Sequence, residues 1–277
     1  MSSPLSLATT VRLSSGYDIP VLGLGVFQNY DCVPACLAAL KDGYRHIDTA
    51  RYYQNEDQVG QAIRQSGVPR EEVFVTTKVY DQDQGYDSTL RAVDDSLNKF
   101  GYDYFDLYLI HSPLPGKEKR LETWRALIEA KKAGKVKTIG VSNYGANHIE
   151  EIRAAGLELP AVNQVEIHPF CQQRPIAKYC KEQGIIVEAY SPLVQGRLDD
   201  PVLVQLAKKY NKDAAQIAIR WSLQHGFVPL PKSSRAERVL TNSQVYDFEL
   251  SEEDMAALDA LDQGKAGAIT WNPVDAP

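Results

Sequence analysis

The chain has 277 residues, 44% of them apolar and 24% charged, with a formal net charge of −6. That is the composition of a folded globular protein with ample material for a core, and its acidity argues against a nucleic-acid surface, which is normally basic. Met1 to Thr10 lack the basic start and long apolar run of a secretion signal, and no stretch approaches the roughly 18 apolar residues that span a bilayer. The four cysteines, Cys32, Cys36, Cys171 and Cys180, form no CxxC pair. They are expected to be reduced thiols in a cytoplasmic protein, with Cys32 and Cys36 packing one helix face rather than clipping a metal.

In chain order, Val11-Arg12-Leu13 and Ile19-Pro20-Val21 flank Ser14-Ser15-Gly16-Tyr17-Asp18, the pattern of a β-hairpin. Short β-rich runs then alternate with longer amphipathic ones. Strands are expected at Val21–Leu24, Arg45–Asp48, Val73–Val79, Phe105–Ile110, Lys137–Val141, Val162–Glu166, Ile185–Tyr190 and Phe227–Leu230. Helices between them include Asn55–Gln65, Ser88–Lys99, Glu118–Ala133 and Gln172–Gln183. In Ser88–Lys99 the apolar residues Leu90, Val93 and Leu97 recur at helical spacing, and Asp87 or Ser88 is placed to cap the start. Two helices, Pro201–Tyr210 and Asp213–Gln224, fall between strands seven and eight, so one is an insertion.

Eight strand–helix units in about 250 residues fit an α/β protein of the (β/α)8 TIM-barrel type. Residues 1–277 are expected to form a single barrel domain, with the hairpin plugging its N-terminal end and an extra helix near the C-terminal end. The rival is an open doubly wound sheet that opens with Gly23-Leu24-Gly25. It fails because the third glycine of a dinucleotide fingerprint would fall at Gln28, and no helix opens at Gly25.

In such a barrel, polar residues at the C-terminal ends of strands read as catalytic. Asp48 ends strand two, Tyr53 lies five residues later, Lys78 is near the end of strand three, and His111 follows strand four. A free tyrosine, with a pKa of about 10, is a weak acid near neutrality. A neighbouring ammonium is expected to lower that value. Lys78 supplies the charge, Asp48 holds Lys78, and His111 donates a hydrogen bond to a substrate carbonyl that Tyr53 protonates. Taken singly each residue has a structural reading, and the argument rests on the four together. His46 and Asp48, two apart on one strand face, together with His111 and His168 also allow a metal-dependent hydrolase to be imagined, but the last strand offers Pro231-Lys232-Ser233 instead of a carboxylate ligand. No metal is expected: His46 reads as a buried, hydrogen-bonded histidine, and His168, before Pro169, as shaping a loop.

The run Gly43-Tyr44-Arg45-His46-Ile47-Asp48-Thr49-Ala50-Arg51-Tyr52-Tyr53-Gln54-Asn55-Glu56 closely resembles the first signature of the aldo-keto reductases. Lys135-Val136-Lys137-Thr138-Ile139-Gly140-Val141-Ser142-Asn143 resembles a second segment of that family, and Leu230-Pro231-Lys232-Ser233 a third. The resemblance runs from about Val11 to Leu261. It implies a (β/α)8 barrel that binds NADPH (NADP+) in extended form and reduces aldehydes, ketones or α-keto esters, with Asp48, Tyr53, Lys78 and His111 as the catalytic tetrad. It further implies that Ser142, Asn143 and Gln164 hold the nicotinamide amide and that Tyr190 stacks on the ring. Ser191, Leu193, Gln195 and Gly196, with Pro192 and Arg197 between and after them, would lie beside the pyrophosphate. Lys232, Ser233, Ser234 and Arg238 would clamp the 2′-phosphate, and Asn242 would contact adenine. Thr241 stands where many members carry a glutamate, which takes away one adenine contact. Phe27, Tyr80, Ser112 and Trp271 are the expected substrate-pocket residues, and Phe27 and Ser112 stand where members of the family often have tryptophan. The partner implied is a small carbonyl compound, with no nucleic acid and no membrane, and the chain is expected to act as a monomer. The alternative is a cofactor-binding, redox-sensing subunit with little turnover.

Overall fold

A computed structural model describes residues 5–277. Strands β1 (Thr10–Arg12) and β2 (Asp18–Pro20) form the expected antiparallel hairpin, with Val11 opposite Ile19. Eight parallel strands follow: β3 (Leu24–Gly25), β4 (His46–Asp48), β5 (Phe74–Val79), β6 (Phe105–Ile110), β7 (Val136–Ser142), β8 (Val162–Glu166), β9 (Ile186–Tyr190) and β10 (Val228–Leu230). They lie side by side in chain order. The sheet closes where Gly25 bridges Lys232 and the amides of Gly23 and Gly25 donate to the carbonyls of Pro229 (3.2 Å) and Pro231 (3.1 Å). Both acceptors are prolines, so neither offers an N–H in return. The result is a (β/α)8 barrel. Its first strand is short and lies further along than Val21–Leu24, since Val21 instead bonds back to Thr9 of the hairpin.

Strands β5 and β6 are buried along their whole length, as parallel strands covered on both faces are. Alternate residues point to opposite sides. One set, including Val75, Val79, Tyr108, Ile110, Ile139 and Val141, packs in the core beneath the surrounding helices. The other faces the barrel interior and grades along the axis. At the N-terminal end Phe74, Leu107, Leu109 and Val162 pack with Leu13 and Ile19 of the hairpin. Ser15 of the hairpin turn also meets Thr138 of β7, Oγ to Oγ1, at 2.8 Å. At the other end the same inward rows carry Asp48, Lys78, Ser142, Gln164 and Tyr190.

The helices are α1 (Val33–Asp42), α2 (Glu56–Ser66), α3 (Tyr86–Phe100), α4 (Lys117–Lys132), α5 (Ala146–Ala154), α6 (Arg174–Glu182), α7 (Pro201–Tyr210), α8 (Ala214–Gln224), α9 (Ala236–Ser243) and α10 (Glu252–Asp259). Both α7 and α8 lie between β9 and β10, and α10 follows the barrel. Helix α3 begins two residues before Ser88, and neither Asp87 nor Ser88 caps it. Its start is set by Gly85, at φ 129°, whose N–H donates to Thr123 Oγ1 of α4 at 2.8 Å. Gly60 lets α2 approach the end of α3: a Cβ there would lie 1.9 Å from the Phe100 carbonyl oxygen. All four cysteines are free and buried, and Cys32 and Cys36 sit in the core at the start of α1. Among the described residues no helix is long and apolar enough to cross a membrane, and no cluster of His, Cys, Asp and Glu suits a metal.

Candidate active site

Asp48 is the last residue of β4, Lys78 precedes the last residue of β5, and His111 follows β6 directly. Tyr53 closes a single 3-10 turn, Arg51–Tyr53, after β4. The Lys78 ammonium donates to Asp48 Oδ1 at 2.7 Å, to the Thr49 carbonyl at 2.9 Å and to the Tyr53 hydroxyl at 3.5 Å. Lys78 has no exposed surface and Asp48 very little. A buried ammonium is costly unless paired and hydrogen-bonded, and these contacts meet that need. Burial pulls the Lys78 pKa down, but the Asp48 charge, the Tyr53 phenolate at the high pH where Lys78 titrates, and the Asp48 hydrogen bond overcome it, so Lys78 titrates above its ordinary range and stays charged.

Tyr53 departs from expectation. Burial raises its pKa above the ordinary value, and the attraction of Lys78, partly cancelled by Asp48, reduces that rise without reversing it. In this structure Tyr53 is therefore a firmly protonated phenol. His111 is nearly buried. Burial first, then the Lys78 charge, holds its pKa down to about 3, so the ring is a neutral imidazole. Its centroid lies 5.8 Å from that of Tyr53, edge to face. Two neutral donors thus border one space above a fixed ammonium.

Beneath them lies a network the sequence reading did not include. Gln164 donates through Nε2 to Asp48 Oδ2 and to Glu188 Oε2, both at 2.8 Å. Glu188, on β9, has no exposed surface. Burial first, then the Asp48 charge, pushes its carboxyl pKa up to about 8. His46 Nε2 lies 3.4 Å from Glu188 Oε1 and 3.2 Å from Thr76 Oγ1. The ring is wholly buried, and burial holds its pKa down to about 3. A carboxylate in the middle of an otherwise apolar strand was the available signal for Glu188.

The tetrad opens into a cleft of about 1080 Å³ that runs to the start of α9. At the tetrad end its walls are Phe27, Tyr52, Tyr80 and Trp271. Phe27 lies 4.9 Å from Tyr53, Tyr52 stacks on Tyr80 at 4.7 Å, and Trp271 stands edge-on to His111 at 6.0 Å. Tyr52 was missed, though it directly precedes Tyr53. Ser112 does not line this space: it is buried, its hydroxyl donates to Asp81 Oδ1 at 2.6 Å, and its carbonyl accepts from Gln84 at 2.8 Å. Lys78 lies under the floor, not in the lining.

Further along, Ser142, Asn143, Gln164 and Tyr190 line the cleft, followed by Ser191, Leu193, Gln195 and Gly196. Arg197 falls outside the lining. The far end holds Lys232, Ser233, Ser234, Arg238, Thr241 and Asn242, together with Arg235, which the sequence reading passed over. Tyr190 donates its hydroxyl to Asn143 Oδ1 at 2.8 Å, and Asn143 donates to the His111 carbonyl at 3.1 Å. Several non-glycine residues around the cleft hold positive φ: Gln28, Gln54, Asn143, Ser191, Val194 and Gln195. Such conformations cost of order 1–3 kcal/mol each and cluster at functional sites.

Residues 23–263 match the family model described as "Aldo/keto reductase family". The chain belongs to this family. Among its relatives, the glyoxal reductase of Bacillus subtilis (strain 168) is 50% identical over 264 residues, covering 94% of this chain and 95% of its own. The 9,11-endoperoxide prostaglandin H2 reductase of Trypanosoma cruzi (strain CL Brener) is 47% identical over 262 residues, 92% of each chain. The crystal structure of a Bombyx mori aldo-keto reductase in complex with NADP matches with a TM-score of 0.89 at 36% identity, covering 98% of both chains. As an aldo/keto reductase, the protein is an oxidoreductase of a family that uses NAD(P)H.

Proposed function

We propose that this aldo/keto reductase uses NADPH to reduce small neutral carbonyl compounds (aldehydes, ketones and α-keto esters) to alcohols, with Tyr53 as the proton donor. The observation that carries this reading is the Tyr53 hydroxyl, 3.5 Å from a buried Lys78 that is itself ion-paired to Asp48. The substrate oxygen would lie between Tyr53 and His111. His111, neutral at working pH, donates a hydrogen bond without adding a charge. As negative charge builds on that oxygen, Tyr53 gives up its proton, and the Lys78 ammonium stabilises the phenolate left behind. Asp48 fixes the ammonium. General-acid catalysis of this kind contributes about 10²–10⁴-fold.

When bound, the cofactor supplies the hydride. The residues of the cleft fit such a group. Gln164 spends its amide nitrogen on two carboxyl groups, which leaves its oxygen as an acceptor for an amide N–H. Among the described residues Lys232, Arg235 and Arg238 make no ion pair with a carboxylate, and all three are exposed. A 2′-phosphate would find them free, and forked guanidinium donors suit a phosphate. NADH would gain less there.

Aromatic walls at the tetrad end favour flat or apolar substrates, and among the described residues the cation beside Tyr53, Lys78, is already paired with Asp48 and not free to hold a carboxylate. Glyoxal, in the name of the Bacillus relative, is a small dicarbonyl of the kind this pocket would take. The same reading treats the chain as one barrel unit acting as a monomer in the cytoplasm.

The test is NADPH consumption by the wild-type protein and by Tyr53→Phe with glyoxal, phenylglyoxal and ethyl pyruvate. The variant is expected to bind NADPH as before and to lose about 10²–10⁴-fold in turnover. NADPH binding without turnover of any carbonyl by the wild type would overturn the proposal in favour of a cofactor-sensing subunit.

A further inference from the structure

Trp271 reaches the cleft on a tail that follows α10, and one buried side chain of the barrel holds that tail down. Glu166 ends β8 with no exposed surface. Its Oε1 accepts from the Ile269 N–H at 2.6 Å and meets His168 Nε2 at 2.9 Å. Its Oε2 accepts from the Thr270 N–H at 3.1 Å and from the Thr270 hydroxyl. Four donors nearly fill a carboxylate's acceptor capacity. Burial alone would raise its pKa, but the bonds from His168, Ile269 and Thr270 outweigh burial, so Glu166 titrates below the ordinary carboxylate range and is an anion at neutral pH.

The clasp touches the site from two directions. The Thr270 hydroxyl lies 3.3 Å from that of Tyr190, which donates to Asn143. The next residue along the tail, Trp271, is half-exposed and stands edge-on to His111. Beyond it, Asn272 Oδ1 accepts from Gln173 Nε2 at 2.8 Å, and Val274 is buried against Gly145, where a Cβ would lie 2.5 Å from the Val274 carbonyl oxygen. The tail is thus pinned on both sides of the indole. Glu166 does not line the cleft, and its oxygens are occupied, so it is no candidate for an acid or base in the reaction.

We propose that Glu166 is a positioning residue: by clasping Ile269 and Thr270 it holds Trp271 as a wall of the carbonyl pocket beside His111, and so selects for flat, bulky carbonyl substrates over small ones. This rests on the reading above in one respect, that the carbonyl is bound beside His111.

The test uses Glu166→Gln, with Thr270→Val as a second variant in case the first fails to fold. The readouts are kcat and KM for phenylglyoxal and glyoxal, NADPH affinity, and acrylamide quenching of Trp271. Trp271→Phe serves as the blank, because Trp124 and Trp221 are both buried. Loss of a charge-assisted bond to the tail is expected to raise KM for phenylglyoxal about tenfold and KM for glyoxal less than about threefold. NADPH affinity is expected to stay unchanged and Trp271 to become more quenchable, with Thr270→Val moving in the same direction by less. In the Glu166→Gln/Trp271→Phe double variant the phenylglyoxal effects are expected not to add, since both changes remove the same wall.

The proposal is overturned if the ratio of the two KM values and the quenching both stay at the wild-type level. It is equally overturned if KM for both substrates and NADPH affinity worsen together, which marks a general packing role. Should the wild type turn over none of glyoxal, phenylglyoxal and ethyl pyruvate, the proposed reductase reading falls, while the quenching comparison still decides the clasp.

Discussion

The two ends of the barrel interior are built from the same strands and do opposite things. At the N-terminal end the inward residues Phe74, Leu107 and Val162 meet the hairpin residues Leu13 and Ile19 in a dry apolar layer. Two or four residues along the same strands, the inward positions are Lys78 on β5 and Gln164 on β8, joined to Asp48 and Glu188 by hydrogen bonds. The first layer stabilises by removing apolar surface from water. The second keeps charge in a low-dielectric place, where each charge must be paired. Apolar packing and buried charge are therefore separated here by position along the barrel axis.

That separation can be broken from either end. The largest effect is expected from Lys78→Met. It leaves Asp48 buried without its partner, at a cost of about 3–5 kcal/mol in stability, and it removes the charge that stabilises a Tyr53 phenolate. Urea melts and turnover assays should fall together, and a variant that stays fully active would end the proposed role of Lys78. Ile19→Ala strikes the other end. It should cost about 2–5 kcal/mol of stability through the cavity it leaves, while kcat measured well below the melting temperature stays at the wild-type level. A loss of kcat without a loss of stability would mean the two ends are not independent.

Smaller effects sharpen the picture at the cleft. Lys232→Ala should weaken NADPH binding about tenfold and NADH binding hardly at all, because the lost partner is a phosphate. Equal weakening of both would show that Lys232 does not contact the 2′-phosphate. The smallest effect is an absence. The pKa of His111 is lowered from about 6.5 to about 3, so its neutral form persists as pH falls from 8 to 5. The pH profile of kcat/KM should show no limb near 6.5 that disappears in His111→Gln. Such a limb would mean that the imidazole is charged in the working enzyme.

Much of the fold was legible because parallel strands buried on both sides leave near-continuous apolar runs. The runs at Phe105–Ile110 and Val162–Glu166 match the observed strands at both ends. The same property hides which alternate residues face inward, so Glu188 and Glu166 read as ordinary strand residues. Their meaning depends on partners far along the chain, Gln164 for one and Ile269 with Thr270 for the other. Ser112 was assigned to the pocket by its place after His111, but its hydroxyl turns to Asp81 instead. The direction of the Tyr53 shift required knowing how deeply its hydroxyl sits, which spacing does not reveal. Asp48 and Lys78 stand out in the sequence because chain position and spatial position coincide at strand ends, whereas Tyr190 enters through the family resemblance.

The closing seam between β3 and β10 has its own consequence. Gly23 and Gly25 give N–H groups to Pro229 and Pro231, and neither proline has an N–H to give back, so at those two acceptors the seam is one-sided. Every other neighbouring pair of barrel strands lies between segments consecutive in sequence, whereas this one joins the first strand to the last. Residues from the two ends of the barrel sequence must therefore meet before the ring is complete, and their meeting sets Lys232 alongside Gly25. A ring closed by its first and last strands makes the stretch of cleft wall that contains Gly25 and Lys232 depend on both ends of the barrel sequence.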